Sequence, residues 1–232
     1  MLLIAHRCGS DLYPELTLES ARHSLKIGAD YVEMDIRLTL DSVPIICHDK
    51  DGRRLFGDER RMEKVTLEQF TALRRVEGAP YFAMTLEDVL SSDVGPILFH
   101  MKVKGEALVT VLERLSKCED GARFLLGVST AEDVKSAKRL CPHMRTLAFM
   151  PEKEQMADFI AAGVDVVRLW SDWVAEKDIK AIHNAGCEVF IMSGKAHDGT
   201  VGIATDEEAA MWKSMGADGI LVNNIAQFTA FK

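Results

Sequence analysis

Residues 28–35 read GADYVEMD, and the same phrasing returns as GVDVVRLW at 163–170, GCEVFIM at 186–192 and GADGILV at 216–222. Each phrase begins on a glycine just past an amphipathic run and continues into a short apolar stretch. Glycine readily takes the left-handed conformation that closes a helix. Four to eight aliphatic or β-branched residues bounded by such a signal suit a buried strand. The phrase is therefore a helix end followed by a strand. Its repetition implies strands alternating with helices, and hence a parallel sheet.

Working outward, the apolar runs predict strands at Leu2–Ala5, Tyr31–Leu38, Val43–Cys47, Ile97–Val103, Phe124–Val128, Thr146–Phe149, Val166–Trp170, Glu188–Met192 and Gly219–Asn223. Amphipathic runs between them predict helices at Thr17–Ile27, Thr85–Leu90, Glu106–Lys117, Ala131–Leu140, Glu152–Ala162, Ala175–Ala185 and Glu207–Met215. Thr17, Thr66, Thr130 and Thr205 are placed to cap helix N-termini, because a threonine hydroxyl can accept an otherwise orphaned backbone N–H. Gly28, Gly163, Gly186 and Gly216 mark helix stops. About eight βα units in 232 residues fit one α/β domain, residues 1–232, closed as a (β/α)8 barrel. The even spacing, and the lack of a GxGxxG after the first strand, disfavour a doubly wound sheet.

The chain carries 36 acidic and 28 basic residues, for a formal charge of −8. That balance disfavours nucleic acid and anionic membranes as partners, since both require a basic footprint. It leaves room for one small anion in a locally basic pocket. Cysteines 8, 47, 118, 141 and 187 form no CxxC pair, as expected of free thiols in a reducing compartment. The opening MLLIAHR lacks a basic segment and reads as a first strand. No run reaches the roughly 18 apolar residues of a membrane span. The expectation is a cytoplasmic protein without a membrane span. The sequence carries no mark of oligomeric state.

In such a barrel, chemistry gathers at the carboxyl ends of the strands. Strand one runs into His6-Arg7, strand two carries Glu33 and Asp35, the following strand runs into His48-Asp49, and strand three ends in His100 and Lys102. Period-two alternation puts Glu33 and Asp35 on one face, with Met34 and Ile36 on the other. Two carboxylates aimed into a barrel mouth repel and are costly to bury unpaired. A divalent cation resolves that cost, and hard oxygen ligands suit Mg²⁺ or Ca²⁺. The alternative is a solvated strand end. His100 falls beside the pair, either as a third ligand or as a partner of one acid. His6 and His48 are candidates for proton transfer near neutral pH. Arg7 and Lys102 are candidates for holding phosphate oxygens, arginine by its bidentate fork. For each, the plainer reading is an ion pair or a satisfied histidine.

Taken in order, His6-Arg7-Cys8, Pro14-Glu15-Leu16-Thr17, Glu33-Met34-Asp35 and His48-Asp49 resemble the HRG, PENT, E-x-D and HD signature of the glycerophosphodiester phosphodiesterase family. Weaker likeness continues through Gly163, Val166–Arg168, Gly186–Ile191 and Gly216–Ile220, so it spans nearly the whole chain. The resemblance implies a TIM barrel and a hydrolase releasing glycerol 3-phosphate and an alcohol. It implies a small-molecule phosphodiester substrate and one bound divalent metal. It also implies His6 and His48 as general acid and base, Glu33 and Asp35 as metal ligands, and Arg7, Lys102 and Glu15 as substrate-binding residues.

The sequence departs from that pattern in four places. The family's third acidic ligand is replaced by His100, a softer donor that fits Mn, Zn, Fe or Ni better than Ca or Mg. Three outcomes are open: His100 binds the metal, it bonds to Glu33 or Asp35 instead, or the barrel has been repurposed to bind a phosphorylated ligand without catalysis. Cys8 stands for a glycine, Leu16 for an asparagine, and Val222-Asn223-Asn224-Ile225 for a Thr-Asp-x-Pro end. An enzyme acting on lysophospholipids is a further alternative. The long loop from Ser193 to Ala204, with His197-Asp198, reads as a lid, a clamp or a plain loop. Trp170 and Trp173 read as pocket walls or as packing.

Overall fold

The computed structural model describes residues 1–194 and 199–232. Eight parallel strands form the barrel: β1 (Leu2–Ala5), β2 (Tyr31–Leu38), β3 (Ile97–Met101), β4 (Phe124–Val128), β5 (Arg145–Ala148), β6 (Val166–Trp170), β7 (Glu188–Met192) and β8 (Gly219–Val222). They run in the order 1-8-7-6-5-4-3-2, and pairing of Ile4 and Ala5 with Tyr31 and Val32 closes the ring. With no free edge, every strand is hydrogen-bonded on both sides.

Strict alternation sorts the residues. Ile4, Leu98, Leu125, Leu147, Phe190 and Leu221 fill the barrel interior. Their neighbours Leu3, Val32, Met34, Ile36, Val167 and Ile191 face the helices in the larger core. Above the apolar floor, the inward positions turn polar. Glu33, Asp35 and Arg168 are buried there, at 1%, 0% and 3% exposure.

The threonine caps are present as expected. Thr17, Thr66, Thr130 and Thr205 each accept a backbone N–H at a helix start, as does Thr85. Gly28, Gly163, Gly186 and Gly216 follow their helices with positive φ.

Several boundaries shift. β3 stops at Met101, so Lys102 lies one residue past it. The run expected at Val43–Cys47 is a three-residue strand, Pro44–Ile46, which pairs antiparallel with β2 and is not a barrel strand. Thr66 caps a helix, Leu67–Thr71, whose apolar run was too short to mark it in the sequence. The stretch expected as one helix from Glu152 begins as a 3-10 turn, Lys153–Gln155, and becomes α-helix only at Met156–Ala161. The excursion between β2 and β3 also holds a small hairpin, Asp51–Gly52 with Asp58–Arg61, which brings His48, Asp49 and Arg54 over the rim. All five cysteines are free. Among the described residues, no helix is long and apolar enough to cross a membrane.

Candidate functional site

At the carboxyl end of the barrel lies a cavity of about 610 Å³ whose lining includes His6, Arg7, Asp35, His48, His100 and Lys102. Each arrives from a different local device. Pairing of β2 with β3 sets Glu33 opposite Leu98 and Asp35 opposite His100, so two carboxylates and one imidazole share the inner face. Their ligand atoms all lie within 4.8 Å of one another.

This trio is under electrostatic tension. Burial and the nearby Asp35 push the Glu33 carboxyl up to about 8. Burial pushes Asp35 up as well, but Lys102 and His100 outweigh it and hold Asp35 well below the usual carboxylate range. Lys102 Nζ is 3.1 Å from Asp35 Oδ1, and His100 Nδ1 is 3.3 Å from the same atom and 3.5 Å from Glu33 Oε1. The two contacts to Asp35 are ion-pair contacts on Oδ1, and among the described residues neither buried Asp35 oxygen has a hydrogen-bond partner. Burial, then the Lys102 charge, lowers His100 to about 3, leaving a neutral imidazole with a lone pair to give. Orphaned buried carboxylate oxygens beside a neutral imidazole fit a divalent cation, which would offset the carboxylate charge and complete their coordination.

His6 and Arg7 lie in a tight turn, His6–Cys8, rather than on β1 itself. Arg7 has φ 50° and Cys8 φ 70°, and Leu16 has φ 52°. These are left-handed conformations that glycine and asparagine adopt at lower cost. Cys8 and Leu16 therefore carry local strain of order 1 kcal/mol each. The turn delivers the Arg7 amide to Glu33 Oε2 at 2.7 Å.

The two histidines are held by different partners. His6 Nδ1 meets Asn223 Oδ1 at 2.8 Å, while Asn223 Nδ2 donates to the Val201 carbonyl at 2.9 Å. A carbonyl can only accept, so the amide nitrogen must face Val201 and the amide oxygen His6. His6 therefore carries its proton on Nδ1 and presents a bare Nε2. Burial, with the Arg7 charge, lowers its pKa to about 4, so it is neutral at pH 7.

His48 Nδ1 meets Asp49 Oδ1 at 2.8 Å, and its Nε2 accepts from Arg7 Nη2 at 2.9 Å. Asp49 is held ionised by His48 and Arg54, against the opposing effect of its burial. Arg54 donates to Asp49 Oδ2 at 2.7 Å and pairs with Glu15 Oε1 at 2.6 Å. Glu15 in turn pairs with Arg7 at 3.2 Å, which makes it the bracket that holds two arginines on the rim. Arg37 grips the His48 carbonyl from below at 2.8 and 3.1 Å.

All eight residues singled out in the sequence meet at this one rim. Sequence reasoning missed Arg168, Phe149, Arg54 and the pairing of Asn223 with His6. For Arg168 the signal was present: a charged residue at an inward position of the apolar run VVRLW, the same anomaly that marks Glu33 and Asp35. Trp170 lines the cavity, whereas Trp173 does not. His197 and Asp198 lie outside the described residues. The described flanks of that loop are tied to the end of β8, with Asn223 N bonded to Gly202 O at 2.7 Å.

Comparison with known proteins agrees with this geometry. The model of the glycerophosphoryl diester phosphodiesterase family matches residues 6–227. Glycerophosphodiester phosphodiesterase 1 of Rattus norvegicus is 43% identical over 70 residues, covering 30% of this chain and 21% of the relative. This chain spans between 21% and 30% of the length of the first curated relatives it matches. Among solved structures, an Oleispira antarctica phosphodiesterase in complex with the product sn-glycerol-3-phosphate superimposes with a TM-score of 0.82 at 19% identity, over 100% of this chain and 96% of that one. The glycerophosphodiester phosphodiesterase of Thermotoga maritima gives 0.77 at 19% identity, over 100% and 98%. At such identities the structures show the fold, a TIM barrel. The family match begins at His6 and ends four residues past Asn223, so it spans the whole constellation, and the chain belongs to the glycerophosphoryl diester phosphodiesterase family, a family of phosphoric diester hydrolases.

Proposed function

We propose that residues 1–232 act as one barrel domain that hydrolyses glycerophosphodiesters to glycerol 3-phosphate and an alcohol, with a divalent metal held by Glu33, Asp35 and His100. One observation carries the reading: two histidines with opposite surroundings flank the same arginine at the cavity mouth, beside a buried ligand trio. The sn-glycerol-3-phosphate bound in the Oleispira relative supports the substrate class. A bound metal would neutralise phosphate charge and stabilise the charge that builds at phosphorus. The donor set of two carboxylates and an imidazole favours Mn²⁺ or Zn²⁺ over Mg²⁺ or Ca²⁺.

The chain's own residues divide the remaining work. Arg7 and Lys102 bind phosphate oxygens. His6, neutral and bare at Nε2, takes the proton from water or from a neighbouring substrate hydroxyl as that oxygen attacks phosphorus. His48 is backed by the ionised Asp49, which stabilises its imidazolium form. When Arg7 turns to phosphate, His48 Nε2 is released to carry a proton. It gives that proton to the alcohol oxygen as the P–O bond breaks. Glu15, through Arg7 and Arg54, keeps both cations on the rim.

A second reading follows from Lys102. Its ammonium already sits on Asp35 Oδ1 and could replace the metal charge, giving a barrel that binds a phosphorylated ligand without turning it over. Incubating Mn²⁺-loaded protein with sn-glycerol-3-phosphocholine and following phosphorus NMR separates the two. The hydrolase reading expects sn-glycerol 3-phosphate to accumulate, and expects that signal to vanish with Glu33→Ala. No product from folded, metal-loaded protein, with this diester, with bis(p-nitrophenyl) phosphate or with a glycerophosphodiester carrying a second anionic group, would leave the binding reading.

A further inference from the structure

Arg168 enters the cavity from β6, opposite Phe190 in the register with β7. It is 3% exposed, and its guanidinium lies over three aromatic rings: Trp170 at 4.3 Å, Phe149 at 5.4 Å and Trp173 at 5.7 Å. Among the described residues, its one hydrogen bond is from Nη2 to the Met150 carbonyl at 3.3 Å, and Nε and Nη1 have no hydrogen-bond partner. Among the described residues, no carboxylate forms an ion pair with it. Glu152 also faces the cavity, but its side chain accepts the Gln155 amide in a capping box.

The other cations of the cavity are balanced: Arg7 by Glu15 and Lys102 by Asp35. Among the described residues, Arg168 is the cavity cation left without an ion-pair partner. Aromatic rings attract a guanidinium but accept no strong hydrogen bond, so they hold it in place without satisfying it. A buried cation without a counter-charge is costly, and such groups are retained where a ligand supplies the charge. The catalytic scheme above assigns Arg168 no task.

We propose that Arg168 forms a second anion subsite, so that the preferred substrate carries another negatively charged group, a carboxylate or a phosphate, besides the scissile phosphodiester. This rests on the phosphodiesterase reading for what the cavity turns over, but the subsite itself is a binding claim. A guanidinium is suited to either oxyanion, because both match its planar fork. Trp170 beside it makes the subsite visible to fluorescence. Phosphocholine-type headgroups, being cationic, would leave Arg168 unmatched.

The test is calorimetric titration of Mn²⁺-loaded protein with sn-glycerol 3-phosphate, 3-phosphoglycerate and glycerol 1,3-bisphosphate, with tryptophan fluorescence read in parallel. The parent protein should bind one or both doubly anionic ligands at least about tenfold more tightly than glycerol 3-phosphate, the gain expected of one charge-assisted pair. The winner identifies carboxylate or phosphate. Arg168→Gln should abolish the preference while leaving glycerol 3-phosphate affinity unchanged, and Arg168→Lys should keep part of it. No preference in the parent protein overturns the proposal, whether or not the glutamine variant folds. So does an equal loss of all three ligands in Arg168→Gln, which would place Arg168 on the scissile phosphate. A preserved preference in a protein that releases no glycerol 3-phosphate from any diester would sink the hydrolase reading and leave the subsite standing.

Discussion

The His100 imidazole lies flat on the Phe149 ring, with centroids 3.6 Å apart and planes 7° from parallel. Phe149 can lie there because residue 127 is glycine. A Cβ at Gly127 would come within 2.4 Å of Phe149 Cε2 and 3.3 Å of the Phe99 carbonyl oxygen. A missing methyl on β4 thus sets the orientation of a donor on β3 through an aromatic ring that follows β5.

Gly127→Ala should therefore tilt Phe149 and turn His100 out of line with Glu33 and Asp35. Displacing a group that orients a metal ligand typically weakens binding by about 10- to 100-fold. Overpacking the barrel should also cost about 1–3 kcal/mol of stability. Mn²⁺ titration followed by electron paramagnetic resonance checks the first number, and urea unfolding the second. Unchanged Mn²⁺ affinity would mean that the stack does not position His100.

The alternation in GADYVEMD was enough to place Glu33 and Asp35 inside the barrel, because period two is a property of any strand. The helix stops were legible for a similar reason, since a glycine at a positive φ is a local requirement. The Arg7–Glu15–Arg54–Asp49 chain was not legible. It depends on how the excursion between β2 and β3 folds back over the rim, which no local pattern encodes. The pairing of Asn223 with His6 joins residues 217 apart in sequence. It exists because β8 closes the ring beside β1. Once the barrel is accepted, that adjacency follows, but the side chain that would use it does not.

The buried state of His6 predicts a pH dependence of stability. Its folded pKa of about 4 lies below the ordinary value of 6.5, so the unfolded chain takes up a proton first as pH falls. The contribution is intact above pH 6.5 and is lost progressively as pH drops toward 4. Over that range the loss approaches about 3 kcal/mol. Asn cannot titrate, so a His6→Asn variant should lose about 2 kcal/mol less than the parent between pH 7 and pH 4.5. Equal losses in urea melts at the two pH values would contradict a neutral, buried His6.

Asp49 is expected to act through His48 and not on substrate. Asp49→Asn keeps the shape of the contact but removes the charge that stabilises the imidazolium. Loss of assisted proton transfer should lower kcat for glycerophosphodiesters by about 10- to 100-fold, with KM changed less than about threefold. The acidic limb of the kcat–pH profile should move as well. A change confined to KM would assign Asp49 to binding.

If Glu33, Asp35 and His100 hold the metal on which hydrolysis depends, the choice of metal must depend on His100. The most direct measurement is the rate of glycerol 3-phosphate release by metal-stripped protein with Mg²⁺, Ca²⁺, Mn²⁺, Co²⁺, Ni²⁺ or Zn²⁺ returned one at a time, for the parent and for His100→Ala. The parent protein should show no activity without metal and recover chiefly with the transition ions, and the variant should lose that preference. Full activity in the stripped protein, or recovery indifferent to His100, would contradict this metal assignment.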